Sequence, residues 1–245
     1  MSDKKYSGIW RESAFQALLN FNEELKKYPD FILLAEYADL REQGLRKQAF
    51  NKLNEFIIAA SSFEESKKLE LVQIICQMKL GSGRNSFLLD PQPLVTQVIV
   101  PTLRQWIVEQ PKNFEPLKWL GLFFYHYSDD SDDNLYFTYL EQSLALNPKD
   151  DVVRKVLIER YIDYLDYAMH HLLDAINFGY IGDPANDLEL CRTIEVCING
   201  VQDKKDKAAF TKRLKEYRMM IEDWQEYIRA NVKISFDEWR GSKKA

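Results

Sequence analysis

Glu159, Asp163, Asp166, His170 and Asp174 follow one another at spacings of 4, 3, 4 and 4. On a helix turning about 100° per residue, all five side chains fall within an arc of about 80°. Carboxylates sharing a face with an imidazole can hold a divalent cation, or raise the basicity of that imidazole. They can also present a negative stripe to a cationic protein. The opposite arc carries Ile158, Tyr161, Leu165, Met169, Leu172 and Ile176, a core stripe. Di-metal carboxylate bundles draw a Glu-x-x-His motif from each of two helices, and this sequence has none. No metal and no cofactor is therefore expected. The stripe reads as a solvated or partner-binding face, with a metal-dependent enzyme built on Glu159–Asp174 as the alternative. A second acidic group, Asp129, Asp130, Asp132 and Asp133, occupies the short run Ser128–Asp133.

The remaining chemistry-bearing residues are sparse. His126 lies in the aromatic run Phe123–Tyr127, where a cationic helix end accounts for it. Cys76, Cys191 and Cys197 are odd in number and show no CxxC spacing. They read as reduced, buried thiols of a reducing compartment, without an activating neighbour. Gly81-Ser82-Gly83-Arg84-Asn85 is a turn. It lacks the preceding strand and the Lys-Ser/Thr pair that a phosphate loop requires. No catalytic residue is assigned, and an enzyme is the less favoured class.

Charge divides the chain. Residues 121–200 hold 15 Asp or Glu against 5 Lys or Arg, whereas residues 201–245 hold 8 against 12. An acidic middle repels nucleic acid and draws basic partners. The longest apolar stretch, Trp119–Tyr125, falls far short of the roughly 20 residues that span a bilayer. No apolar segment follows the first residues, so no signal peptide is expected. The expected protein is soluble and cytoplasmic, with neither a membrane nor a nucleic acid as partner.

The elements that must position these residues are helical nearly everywhere. With 9 Gly and 8 Pro in 245 residues, turns for an all-β fold are lacking. The 3.6-residue period predicts helices over 8–27, 30–42, 45–60, 62–80, 91–110, 115–127, 133–146, 151–178, 184–199 and 203–232. Ser62 and Glu65 form a capping-box pattern, and Pro101 predicts a kink or a restart. Asp183-Pro184 caps one helix start and Gly200 closes the same helix. Phe210, Leu214, Tyr217, Ile221, Trp224 and Ile228 mark an a/d seam, with Lys212, Arg213, Lys215 and Arg218 outside it. Ile234, Phe236 and Trp239 are too apolar to hang free. Trp119, Leu120, Leu144, Leu165 and Leu214 are the predicted core.

Leu117, Leu120, Gly121 and Phe124, followed by Leu140, Leu144, Leu146, Asn147 and Pro148, resemble a tetratricopeptide repeat. Gly121 takes the close-crossing position, the 128–133 run lengthens the turn, and Tyr136 replaces the usual small residue. A second unit, Asp30 to Ser61, has Gly44 at the turn, Ala49 at the small position, and Leu53 and Phe56 at the large ones. Tyr37 departs from the pattern, and Glu109-Gln110-Pro111 gives a third hint. The resemblance covers about half the chain. It implies a single all-α helical-repeat domain over 1–245, an α-α superhelix of about ten helices, with 201–245 as capping helix and tail. An irregular helical bundle is the other architecture. The implied function is protein–protein interaction without catalysis. The expected partner is basic, whether a cationic toxin neutralised by an immunity protein or a peptide read by an adaptor. The candidate surface is Asp129, Asp130, Asp132, Asp133, Glu159, Asp163, Asp166, His170 and Asp174.

Overall fold

The computed structural model describes residues 12–82, 88–124, 135–172 and 179–243. Those residues are all-helical, without a strand, and the helix packing is consistent with a helical-repeat array. In chain order the helices are α1 (Glu12–Leu25), α2 (Ile32–Glu42), α3 (Arg46–Ala60), α4 (Glu65–Ser82), α5 (Gln92–Leu94) and α6 (Val100–Glu109). They continue as α7 (Glu115–Trp119), α8 (Leu135–Leu146), α9 (Asp151–Met169), α10 (Pro184–Asn199), α11 (Lys204–Ala230) and α12 (Phe236–Lys243). Two compact units divide the chain, residues 1–136 and 137–245.

In the first unit each early helix packs on its sequence neighbour, α1 on α2 and α2 on α3. Ala49, Leu53 and Phe56 are fully buried, as is Tyr37. Gly44 sits at φ +78, which an L side chain adopts only under strain. The Leu45 amide donates to Leu40 O and the Gly44 amide to Arg41 O, closing α2 with a Schellman motif. Phe31, Phe56 and Phe63 form an aromatic cluster, with Phe56 edge-on to both of the others.

Ser62 does not open α4. Its hydroxyl donates backwards to Ala59 O at 2.8 Å, because Ser62 still belongs to the turn that ends α3, and α4 begins at Glu65. An α-helical segment restarts at Val100, with Pro101 in its first turn, as one of the two expected outcomes. A π turn, Val95–Ile99, precedes it, with the Val100 amide reaching Val95 O. That wider turn relieves the clash a proline ring makes one turn back, so α5, the π turn and α6 run on continuously. A second π turn, Leu120–Phe124, extends α7 and contains the buried Gly121. Residues 125–134, between that π turn and α8, lie outside the described residues, so the stretch expected to form a repeat is seen only as two separate parts. Trp119 and Leu120 are core, as expected. On α8 the buried positions are Leu140 and Ser143, and Leu144 is half-buried.

In the second unit α9, α10 and α11 pack on one another, and α12 folds back on α11. Aspartates cap three helix starts. Asp150 Oδ1 accepts from the Val153 amide, Asp183 Oδ1 from Ala185 and Asn186, and Asp203 Oδ1 from Lys205 and Asp206. The α11 seam holds at Phe210, Leu214, Ile221 and Trp224, but its last member is Tyr227; Ile228 is exposed. Tyr227 is covered instead by α12, whose Phe236 and Trp239 rings stand 5.5 and 5.7 Å from it. The tail folds back as α12. Ser235 and Glu238 form a reciprocal capping box at 3.0 and 3.3 Å, and Phe236 is fully buried against Trp224 and Tyr227.

Candidate functional site

The acidic stripe lies on α9, with its back fixed by Ile158, Tyr161, Leu165 and Met169, all buried. That packing aims Glu159, Asp163, Asp166 and His170 outward. The helix ends at Met169 rather than Phe178. The His170 ring Nδ1 lies 2.6 Å from Tyr167 O, the carbonyl that the next amide would use to extend the helix. Asp129, Asp130, Asp132, Asp133 and Asp174 lie outside the described residues. The structure therefore brings together four of the nine predicted acidic-surface positions.

Those four are not equivalent. Arg213 on α11 reaches Glu159 at 2.8 Å, and the Tyr217 hydroxyl donates to Asp166. One edge of the stripe is thus engaged by α11, the helix whose basic residues read as an outward face. Arg218 likewise pairs inward with Glu195 on α10, at 2.8 Å. Burial, and then hydrogen bonding to Asp166, pushes the Tyr217 hydroxyl up to about 12. Asp163 makes no hydrogen bond or ion pair among the described residues. Partial burial, then the negative charges of Glu159 and Asp166, raise its carboxyl above the usual range. Beside it stand exposed aromatic side chains: Tyr164, Tyr167 at 61% exposure, and His170 stacked on Tyr167 at 5.4 Å.

Two of the stripe carboxylates already have protein partners. Glu159 already has a guanidinium partner and Asp166 a phenol. Among the described residues no three His, Cys, Asp or Glu side chains converge on a metal-sized site. The cysteines are not poised as nucleophiles either. Burial raises all three thiols, Cys191 to about 11 and Cys76 well above its ordinary value.

A carboxylate that the spacing did not single out lies behind the stripe. Asp187, in the first turn of α10, is buried and accepts the Tyr180 hydroxyl at 2.7 Å. Tyr164 also hydrogen-bonds to it. Burial raises this carboxyl while the two phenols oppose the shift. No room remains for a side chain at Gly182, where a Cβ would lie 2.3 Å from Asp187 Oδ2. Asp187 thereby ties α9 to the start of α10 and holds Tyr164 at the edge of the exposed face. The Asp-Pro cap at Asp183 was visible in the sequence, but nothing in the period marks the carboxylate one turn later as buried.

No helix among the described residues is long and apolar enough to cross a membrane. Compared with protein-family models, with curated proteins and with solved structures, the chain matches none.

Proposed function

We propose that this protein acts by binding, as a helical-repeat interaction module that takes a basic protein partner on the outward face of α9. The observation that carries the reading is Asp163. It is exposed, makes no ion pair among the described residues, and sits between two like charges with Tyr164 and Tyr167 alongside. An incoming Arg or Lys relieves that repulsion and gains contact with a tyrosine face. Tyrosine-rich, partly apolar surroundings are typical of interface centres. The tetratricopeptide-like pattern at Gly44, Ala49, Leu53 and Phe56 supports a scaffold of stacked helix pairs, an architecture suited to binding. Asp129, Asp130, Asp132, Asp133 and Asp174 extend the negative field in sequence. An immunity protein for a cationic toxin and an adaptor for a basic peptide both fit this chemistry.

The test is a pull-down from the native cell, followed by association kinetics with the recovered partner over a range of salt. For the wild-type chain, the on-rate falls steeply with salt. The Asp163→Asn/Asp166→Asn variant associates more slowly and loses most of that dependence. Equal on-rates and equal salt slopes for the two chains would show that the acids only solvate.

A further inference from the structure

One face of α11 stays exposed among the described residues of the second unit. At about 100° per residue, Lys212, Lys215, Met219, Glu222 and Glu226 fall within an arc of about 80°. All five are exposed. The residues between them are turned elsewhere. Arg213 and Tyr217 reach α9, and Leu214 and Ile221 belong to the core. The C-terminal helix α12 engages only the far end of α11, from Asp223 onward. Beside the exposed face a groove of about 440 Å³ runs between α10 and α11. It is lined by the buried Ile198 and Leu214, by Met219, which is 42% exposed, and by Lys215 and Glu222.

The charges on this face are ordered about Met219. Lys212 and Lys215 precede it, and Glu222 and Glu226 follow it. The side chains of Lys212, Lys215 and Glu222 make no hydrogen bond or ion pair among the described residues. Glu226 is held by Lys243 at 2.6 Å, and Arg218 is paired across the groove with Glu195 at 2.8 Å. The free charges that line the groove are therefore one lysine and one glutamate, two helical turns apart.

We infer that this face docks on the same face of a second copy of the chain, with the two α11 helices antiparallel about a two-fold axis beside Met219. Lys215 and Glu222 are separated by about 10.5 Å along the helix. Reversing the helix about their midpoint sets Lys215 of each copy on the partner's Glu222. Two identical ion pairs then flank the axis, and the two Met219 side chains meet beside it. The pattern is complementary only to itself reversed, since a parallel pairing sets lysine on lysine and glutamate on glutamate. Exposed ion pairs contribute little each, so the dimer is weak and sensitive to salt. No residue of the α9 stripe takes part in this contact.

The experiment is sedimentation velocity of the full chain from about 1 to 300 µM, which spans the affinities of weak complexes. The wild-type chain is expected to pass from monomer to dimer over that range at low salt, and to associate at least about tenfold more weakly in about 0.5 M NaCl. Lys215→Glu and Glu222→Lys each set like charges across the axis, and each is expected to weaken the dimer at least about tenfold. Mixed in equal amounts, the two variants are expected to pair with one another, because every altered residue then meets its opposite. The Lys215→Glu/Glu222→Lys chain is expected to dimerise like the wild type. The inference is overturned by a wild-type chain that stays monomeric at the highest concentration or grows beyond the dimer. Dimerisation unaltered in either single variant overturns it, as does failure of the mixture or of the doubly exchanged chain to restore the dimer.

Discussion

The Lys79 ammonium and the Asp90 carboxylate lie 2.7 Å apart, with 6% and 8% of their side chains exposed. Phe123 and Phe124 flank the ammonium at 5.1 and 5.6 Å. One carboxylate oxygen, Asp90 Oδ1, has no hydrogen-bond partner among the described residues. Removing one member of such a pair strands the other charge in the core, whereas replacing both with apolar groups does not. Asp90→Ala should therefore cost about 3–5 kcal/mol in urea unfolding. Lys79→Met/Asp90→Leu should recover most of that loss. A double variant as unstable as the single one would mean that the pair contributes more than the absence of a stranded charge.

Asp163 makes a pH-dependent prediction. Its carboxyl is raised in the folded chain by burial and then by Glu159 and Asp166. The folded state therefore holds the proton more tightly than the unfolded state does. The ionised form destabilises the fold above the folded-state value, and that penalty vanishes below the unfolded value of about 3.9. Asp163→Asn should melt higher than the wild-type chain at neutral pH, with the gap closing as pH falls towards about 3. A gap independent of pH would remove the like-charge explanation.

Two of the glycines with open space around them should respond oppositely. Gly44 at φ +78 and Gly81 in α4 would each place a Cβ against nothing within 4 Å. Only Gly44 has a left-handed backbone. Gly44→Ala should cost about 1–2 kcal/mol, and Gly81→Ala should stabilise by about 0.4–1 kcal/mol. Chemical denaturation of the two variants side by side checks the sign.

Leu120 is 2% exposed within the π turn that follows α7. Leu120→Ala should lower stability by about 2–5 kcal/mol, measured by urea denaturation. A change within about 0.5 kcal/mol would place Leu120 outside the core that the repeat pattern assigns it.

The C-terminal helix fastens α11. Arg240 and Lys243 both reach Asp223 at 2.9 Å, and the Tyr227 hydroxyl donates to Ile234 O at 2.7 Å. Phe236→Ala should cost about 3–5 kcal/mol and speed amide exchange along the last turns of α11. Unchanged exchange there would mean that α11 holds its end without α12.

Much of the fold was legible because burial follows period. Leu45 aside, the α3 face of Ala49, Leu53 and Phe56 is the core face, and Asp183-Pro184 starts α10 where a cap and a proline require it. What escaped the sequence depended on tertiary partners. Ser62 and Ser235 both stand three residues before a glutamate, yet only Ser235 caps, because only its chain is free of a preceding helix turn. Glu159 and Asp166 look alike to Asp163 in spacing. They differ only because Arg213 and Tyr217, some fifty residues later, fold against them. No local pattern encodes that distance.

The π turn before Pro101 carries one residue more than an α-helix would need over the same rise. Val100–Glu109 is in consequence rotated by about 100° relative to the face that Gln92–Leu94 begins. It behaves as a phase shift written inside a single element. A related chain lacking the extra residue would align with this one only through a one-residue gap in mid-helix, and a register carried straight across would set every downstream inward position on the wrong side.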